Sequence, residues 1–268
     1  MTPEPPPPDA SKALNPFDIP LRRLRLSDPV RWLRLGLRDF MQAPGIGLFY
    51  GSCFVLMGWA LLALFEHAPV YVLALSAGFL LVGPFLCLGL YRASQQLERG
   101  GAPQLADSLM AWRRQGGTLA IFGFVLLVLE MLWSRAALII FAVSFDGMPD
   151  FKGSLAALLD PDKLGFVVAY LGVGAVFAGL IYAVSVISMP MMLDRPVDGI
   201  TAALTSMRLV LTQTAVMLLW GAIITALVVL ALLPWFLGLL VVGPVLGHAS
   251  WHAYRAAVSD DGAAARSG

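Results

Sequence analysis

The chain has 268 residues, 59% of them hydrophobic and 13% charged, with a formal net charge of +1. A soluble domain carries about 25% charged residues, so this composition, with a mean hydropathy of +0.79, excludes a soluble fold. The near-neutral balance implies no nucleic-acid partner, and the class is an all-α, polytopic membrane protein.

Residues 1–26 open with Met1-Thr-Pro-Glu4 and the run Pro5 to Pro8. Lacking an apolar core, they read as a disordered cytoplasmic tail without a cleavable signal peptide. A six-span membrane domain is expected over 27–258, followed by a second disordered tail over 259–268. Window hydropathy places the spans at 46–65, 69–90, 118–144, 164–192, 215–233 and 235–250. Most of these are long enough for a hydrocarbon core roughly 30 Å thick. Glu66 to Ala68 alone separate the first pair and Pro234 the last, which makes antiparallel hairpins; Asp146 to Lys163 join the middle pair. Cys53 and Cys87 both fall inside apolar runs, where a thiol behaves as a small hydrophobe.

Sidedness follows from the cations. Lys12, Arg22, Arg23, Arg25, Arg31, Arg34 and Arg38 precede the first span, and Arg92, Arg99, Arg113 and Arg114 follow the second. Arg195 and Arg208 follow the fourth, and Arg255 and Arg266 the sixth, making fifteen on one side against Lys152 and Lys163 on the other. The positive-inside rule then puts both termini in the cytoplasm.

Three amphipathic stretches precede the odd-numbered spans. After Ser27-Asp28-Pro29, a helix start, Val30, Leu33, Leu37, Phe40 and Met41 repeat at helical spacing, with Arg31, Arg34, Arg38 and Gln42 on another face. The second holds Leu105, Leu109 and Trp112; the third Ile200, Leu204, Met207 and Leu211. Two readings stand: helices in the headgroup plane, with Arg31, Arg34 and Arg38 toward anionic lipid, or loop helices covering a bundle.

A shift of 160 residues aligns Gly78–Leu86 with Gly238–Leu246 at six identities in nine, matching Gly83-Pro84 to Gly243-Pro244. Pro190 lies at the corresponding end of the fourth span. The simplest expectation is three same-polarity units of interfacial helix plus hairpin, related by an axis along the membrane normal.

Several of these positions carry a family resemblance. They are Trp32…Gly36-Leu-Arg38-Asp39-Phe40, Tyr50-Gly51, Gly83-Pro84…Gly89-Leu-Tyr91, Trp133-Ser-Arg135, Ser188-Met-Pro190…Leu193-Asp194-Arg195-Pro-Val-Asp198, and Gly243-Pro244…Gly247-His248…Trp251-His252…Tyr254-Arg255. Over about residues 25–258 the chain resembles a bacterial family of integral membrane proteins, domain of unknown function 2189. The resemblance implies a six-span inner-membrane protein and no assigned activity.

Polar residues inside the spans are the candidate sites. Glu130 sits mid-span, where a charge costs about 2.5–3.5 kcal/mol, so it needs a partner, a water-filled cavity or a proton. Arg135, five residues on, is about 140° away around the helix, too far for a comfortable pair. Glu130 is therefore either an ion-path carboxylate or a protonated clasp between helices. His248 and His252 share a helix face with Arg255; with Asp194, Arg195 and Asp198 they form a candidate cytoplasmic-side polar cluster, although a helix-start turn explains Pro196 and Asp198 equally well. A histidine pair at this spacing is a metal or haem constellation, but Trp, Tyr and His at a span's end are also an interfacial belt, and interface anchoring with hydrogen bonding is the reading taken. His67, the remaining histidine, is expected on the opposite side, so no metal and no cofactor are expected. In the fourth span Gly174/Ala178 and Ala175/Gly179 have the spacing of close helix packing.

No Gly-x-Ser-x-Gly, His-Glu-x-x-His, Walker or Cys-x-x-Cys motif occurs, so no enzyme is expected. The leading expectation is a non-catalytic accessory, scaffold or assembly component of a larger membrane complex, a respiratory one being an example. The alternative is a transporter or channel for a small solute, ion or lipid, using Glu130 and the proline-bearing helix ends.

Overall fold

Apolar runs of this length can satisfy their backbone in lipid only as helices or closed barrels, and helices are what the chain forms. The computed structural model describes residues 17, 19–67, 72–144 and 164–259. Among the described residues ten α-helices follow in order: α1 (Asp28–Gln42), α2 (Pro44–His67), α3 (Val72–Glu98), α4 (Leu105–Leu109), α5 (Gly116–Ser144), α6 (Leu164–Ser185), α7 (Ser188–Asp194), α8 (Gly199–Thr212), α9 (Thr214–Leu232) and α10 (Leu239–Ala257), with a 3-10 turn at Ala111–Arg114. Among the described residues, Pro44–Leu64, Gly116–Ser144, Leu164–Asp194 and Thr214–Leu232 are long and apolar enough to cross a membrane. The expected loop 146–163 and Ala68 lie outside the described residues. Cys53 and Cys87 are free thiols.

Two boundaries differ from expectation for local reasons. The fourth segment is not one helix, because it turns at Val186 and Ile187 before α7. Pro190 has no amide to donate, and its ring clashes with the carbonyl four residues back, which is Val186. The last pair is joined by residues 233–238 rather than by Pro234 alone. In that turn Trp235 (φ 53°) and Phe236 (φ 66°) occupy the left-handed region, which is strained for bulky side chains. The turn is held against α2, where Trp59 Nε1 donates to Trp235 O at 2.9 Å.

α10 lies at the centre, packed against α1, α2, α3, α7 and α9. Trp251, Tyr254, Ala249 and Ala253 are buried there with Trp32, Leu88, Met191 and Trp220. Close crossing needs bare backbone at two points. A Cβ on Gly36 of α1 would lie 2.5 Å from Val245 O and 2.7 Å from Ala249 N, and one on Gly51 of α2 would strike Leu240. The α5–α6 pair stands to one side, its seam built by Trp133 against Tyr170 and Phe177 at ring-centroid distances of 5.1 and 5.9 Å. Gly174 admits the Trp133 ring.

The α1 helix presents three faces. Pro29, Trp32, Gly36, Asp39 and Phe40 are buried; Val30, Leu37 and Met41 remain 45%, 48% and 69% exposed; Arg31, Arg34 and Arg38 occupy the third, exposed face. The stripes of the other two stretches are exposed as well, at Leu105, Leu109 and Trp112, and at Ile200, Leu204 and Leu211. The bundle is instead met by Thr201, Ala202, Thr205 and Ser206 of α8.

Before α1 the chain is strapped to its other end. Leu21 pairs with Val258, Arg22 N donates to Ala257 O at 2.9 Å and Ser259 N to Pro20 O at 3.1 Å. Gln213 brackets the strap, accepting from Leu24 N at 2.6 Å and donating to Arg22 O at 2.7 Å.

Gly36→Ala is expected to lower stability by about 1–3 kcal/mol through overpacking. Gly45→Ala, whose Cβ meets nothing within 4 Å, should change it by less than about 0.5 kcal/mol. Denaturant titration in mixed micelles measures both, and equal effects would contradict the close α1–α10 crossing.

Candidate functional site

The chain segments that follow Pro84, Pro190 and Pro244 meet, and two carboxylates tie them together. Asp194, at the end of α7, accepts from Gln95 Nε2 of α3 at 2.8 Å and from the Tyr254 hydroxyl of α10 at 2.8 Å. The Tyr254 oxygen accepts in turn from Arg195 Nε at 2.9 Å, and Arg195 Nη2 donates to Ser259 O at 3.0 Å. Arg92 Nη1 donates to Gln95 Oε1 at 2.6 Å. Arg255 Nη1 lies 3.6 Å from Asp194 Oδ2, while its Nε donates to Glu98 Oε1 at 3.0 Å. Trp251 Nε1 donates to the other Glu98 oxygen at 3.0 Å.

Asp39 of α1 is the second carboxylate. Its Oδ2 accepts from Ser94 Oγ at 2.7 Å and lies 2.8 Å from His252 Nε2. Ser94 Oγ is also 2.8 Å from His248 Nδ1. The one hydroxyl proton of Ser94 goes to Asp39, so hydrogen-bond logic makes His248 Nδ1–H the donor to Ser94 and His252 Nε2–H a donor to Asp39. Ser, His and Asp are thus together, but not as a nucleophile relay. Such a relay has the histidine take the serine's proton, whereas Ser94 donates to the carboxylate and is fully buried. The arrangement is a clamp: a desolvated carboxylate gathering donors from α3 and α10 onto α1.

Of the expected cluster, Asp194, Arg195, His248, His252 and Arg255 come together here. Asp198 does not join them. It caps α8, accepting from Ile200 N and Thr201 N at 2.9 Å each and from Thr201 Oγ1 at 2.6 Å. Partial burial pulls its carboxyl upward, but these donors hold it below the usual carboxylate range. Glu130 lies elsewhere, half-buried on the α5 stripe that includes Leu126, Trp133 and Ala137, and Arg135 is exposed. Among the described residues no ion pair or hydrogen bond joins Glu130 to Arg135. The proline motifs differ in surroundings: a Cβ on Gly243 would meet the Phe54 ring at 2.7 Å, whereas one on Gly83 would meet nothing. Among the described residues, no group of three or more His, Cys, Asp or Glu is placed to hold a metal ion.

Asp39, Ser94, Gln95, Glu98 and Tyr254 are members the sequence reading did not assign to the cluster. An acid among Trp32, Gly36 and Phe40, on the face of α1 away from its arginines, was the available signal for Asp39. Ser94, Gln95 and Glu98 lie past the expected end of the second span at residue 90, on the last turns by which α3 runs on to Glu98.

Tyr254→Phe removes one donor to Asp194 and one acceptor for Arg195, at an expected cost of about 1–3 kcal/mol. Tyr170→Phe, on the α5–α6 seam, should cost less than about 0.5 kcal/mol. The same titration reads both, and equal effects would mean that the Tyr254 hydroxyl ties nothing.

The family described as "Predicted integral membrane protein (DUF2189)" matches residues 72–194. No curated protein and no solved structure matches the chain. The matched stretch is shorter than the resemblance over about residues 25–258, and it contains Ser94, Gln95, Glu98, Glu130 and Asp194. From α3 through α7, the chain matches the model of this family of integral membrane proteins, domain of unknown function 2189.

Proposed function

We propose that the protein is a non-catalytic accessory or assembly component of a larger membrane complex, and that the α5–α6 hairpin is its docking element. One observation carries this reading: the hairpin is the part of the chain least covered by the chain itself, yet it holds Glu130. No residue in the most apolar stretch of Leu164–Asp194 is buried, and 11% are in that of Gly116–Ser144. Lipid solvates such apolar surface well but does not solvate Glu130, which has no hydrogen-bond partner among the described residues. A neighbouring membrane protein with a polar group at that depth satisfies it.

In this reading six spans cross a bacterial inner membrane with both termini cytoplasmic. The excess of arginine on one side supports that polarity, and the pairing of Leu21 with Val258 suits an even number of crossings. The exposed apolar stripes of α1, α4 and α8 suit helices lying in the headgroup plane, with Arg31, Arg34 and Arg38 toward anionic lipid. Reporter fusions after Asp150 and after Ser259 should give opposite signals; equal signals would overturn the polarity.

The clasp and the transport readings separate at Glu130. As a neutral clasp, Glu130 donates one hydrogen bond and accepts another, so Glu130→Gln keeps assembly nearly intact. Glu130→Leu strands the partner's polar group, at about 1–3 kcal/mol. The test is affinity purification from native membranes, with co-migrating proteins identified by mass spectrometry, beside ion flux in proteoliposomes. Partners retained by the Gln variant and lost by the Leu variant support the proposal. A wild-type flux abolished by Gln at normal yield would make the protein a transporter instead.

A further inference from the structure

Five arginines line one cleft, one of them paired, and the acids beside them are already engaged. Between α1, the end of α3, α10 and the N-terminal strap lies a cavity of about 550 Å³ lined by Arg22, Arg23, Arg31, Arg38 and Arg255, the last paired with Glu98. Its carboxylates are Asp28, Asp39 and Glu98. Asp28 accepts the Arg25 amide at 2.7 Å, Asp39 takes Ser94 and His252, and Glu98 takes Trp251 and Arg255. Among the described residues no ion pair joins Arg23, Arg31 or Arg38 to a carboxylate. Arg22 has a long contact to Ser259 Oγ, 3.4 Å.

The backbone that carries these arginines is fixed. Arg31 and Arg38 are separated by two turns and about 20° around α1, so they form one row. Arg22 and Arg23 come from the strap, whose backbone is fixed by Ala257 and by both ends of the Gln213 amide. Like charges gathered from two chain segments repel one another, and a multiply charged anion between them relieves that repulsion. A planar guanidinium matches phosphate oxygens in pairs, and the cavity has the size of a small-molecule site.

We propose that this cleft binds a phosphate-bearing anion, either a soluble phosphate compound or the headgroup of an anionic phospholipid. The proposal does not depend on the docking role of α5–α6. The full-length protein in phosphatidylcholine nanodiscs is titrated with inorganic pyrophosphate by calorimetry. In parallel, protein from phosphatidylglycerol nanodiscs is examined by native mass spectrometry for retained lipid. The variant is Arg23→Gln/Arg31→Gln/Arg38→Gln. Arg113→Gln, in a second cleft lined by Arg92, Arg99 and Arg113, is the reference, and single Arg38→Gln is a milder form of the first.

Pyrophosphate binding that weakens by about tenfold for each arginine removed, and is unchanged in Arg113→Gln, assigns the cleft to soluble phosphate. Stoichiometric phosphatidylglycerol retained by wild type and Arg113→Gln, but lost from the variants, assigns it to lipid. Wild type that takes up neither probe, or variants that take up both as wild type does, would overturn the proposal.

Discussion

Asp194 holds one end of the molecule together. It stands at the end of a helix of seven residues, α7, yet it accepts from α3 through Gln95 and from α10 through Tyr254. A carboxylate out of bulk water must be surrounded by donors, and here those donors come from elements far apart in sequence. Asp39 does the same for α1, receiving Ser94 and His252. Two acids therefore fix the relation of four helices, at the place where apolar packing gives way to polar surface.

The glycine-lined crossings and the acids act in different directions. Gly36 and Gly51 let α1 and α2 approach the α10 backbone, which dispersion and burial then favour without specifying a register. The hydrogen bonds specify it, because sliding α10 by one turn would part Tyr254 from Asp194 and His252 from Asp39. The α5–α6 hairpin packs on α3 and α7 through apolar residues such as Leu119, Phe122 and Leu126, and among the described residues it has no side-chain hydrogen bond to α10.

The membrane class, the helices and most of their limits are legible in the sequence, because apolar runs and prolines report local physics. Pro190 marked the end of the fourth segment, and the break before α7 lies four residues earlier, at the carbonyl its ring excludes. The three outer helices were legible as stripes but not as to which face is covered: α1 meets the bundle with Trp32, Gly36, Asp39 and Phe40, α8 with mostly small and polar residues, and Val30, Leu37 and Met41 of α1 and Ile200, Leu204 and Leu211 of α8 face out. That inversion suits a membrane surface, where an exposed leucine carries no hydration cost. The hub was half legible. His248, His252 and Arg255 share a helix face and were grouped on that ground, whereas Ser94 and Gln95 meet Asp39 and Asp194 only through long-range packing. Asp198 was grouped by nearness to Asp194, although its own neighbour Thr201 engages it as a helix cap. The arginine cleft spans residues 22 to 255, and no local pattern brings those ends together.

The central claim is that the hub is a dry structural clamp and not a water-filled path. Cysteine accessibility tests it directly, in a background with Cys53→Ala and Cys87→Ala. Ser94→Cys and Arg99→Cys are labelled in native membrane vesicles by a membrane-impermeant maleimide. A closed clamp leaves Ser94→Cys unlabelled until the protein is unfolded, while Arg99→Cys, five residues on, just past the end of α3 and exposed, reacts at once. Labelling of Ser94→Cys at the rate of Arg99→Cys would place water at the centre of the cluster and contradict the account.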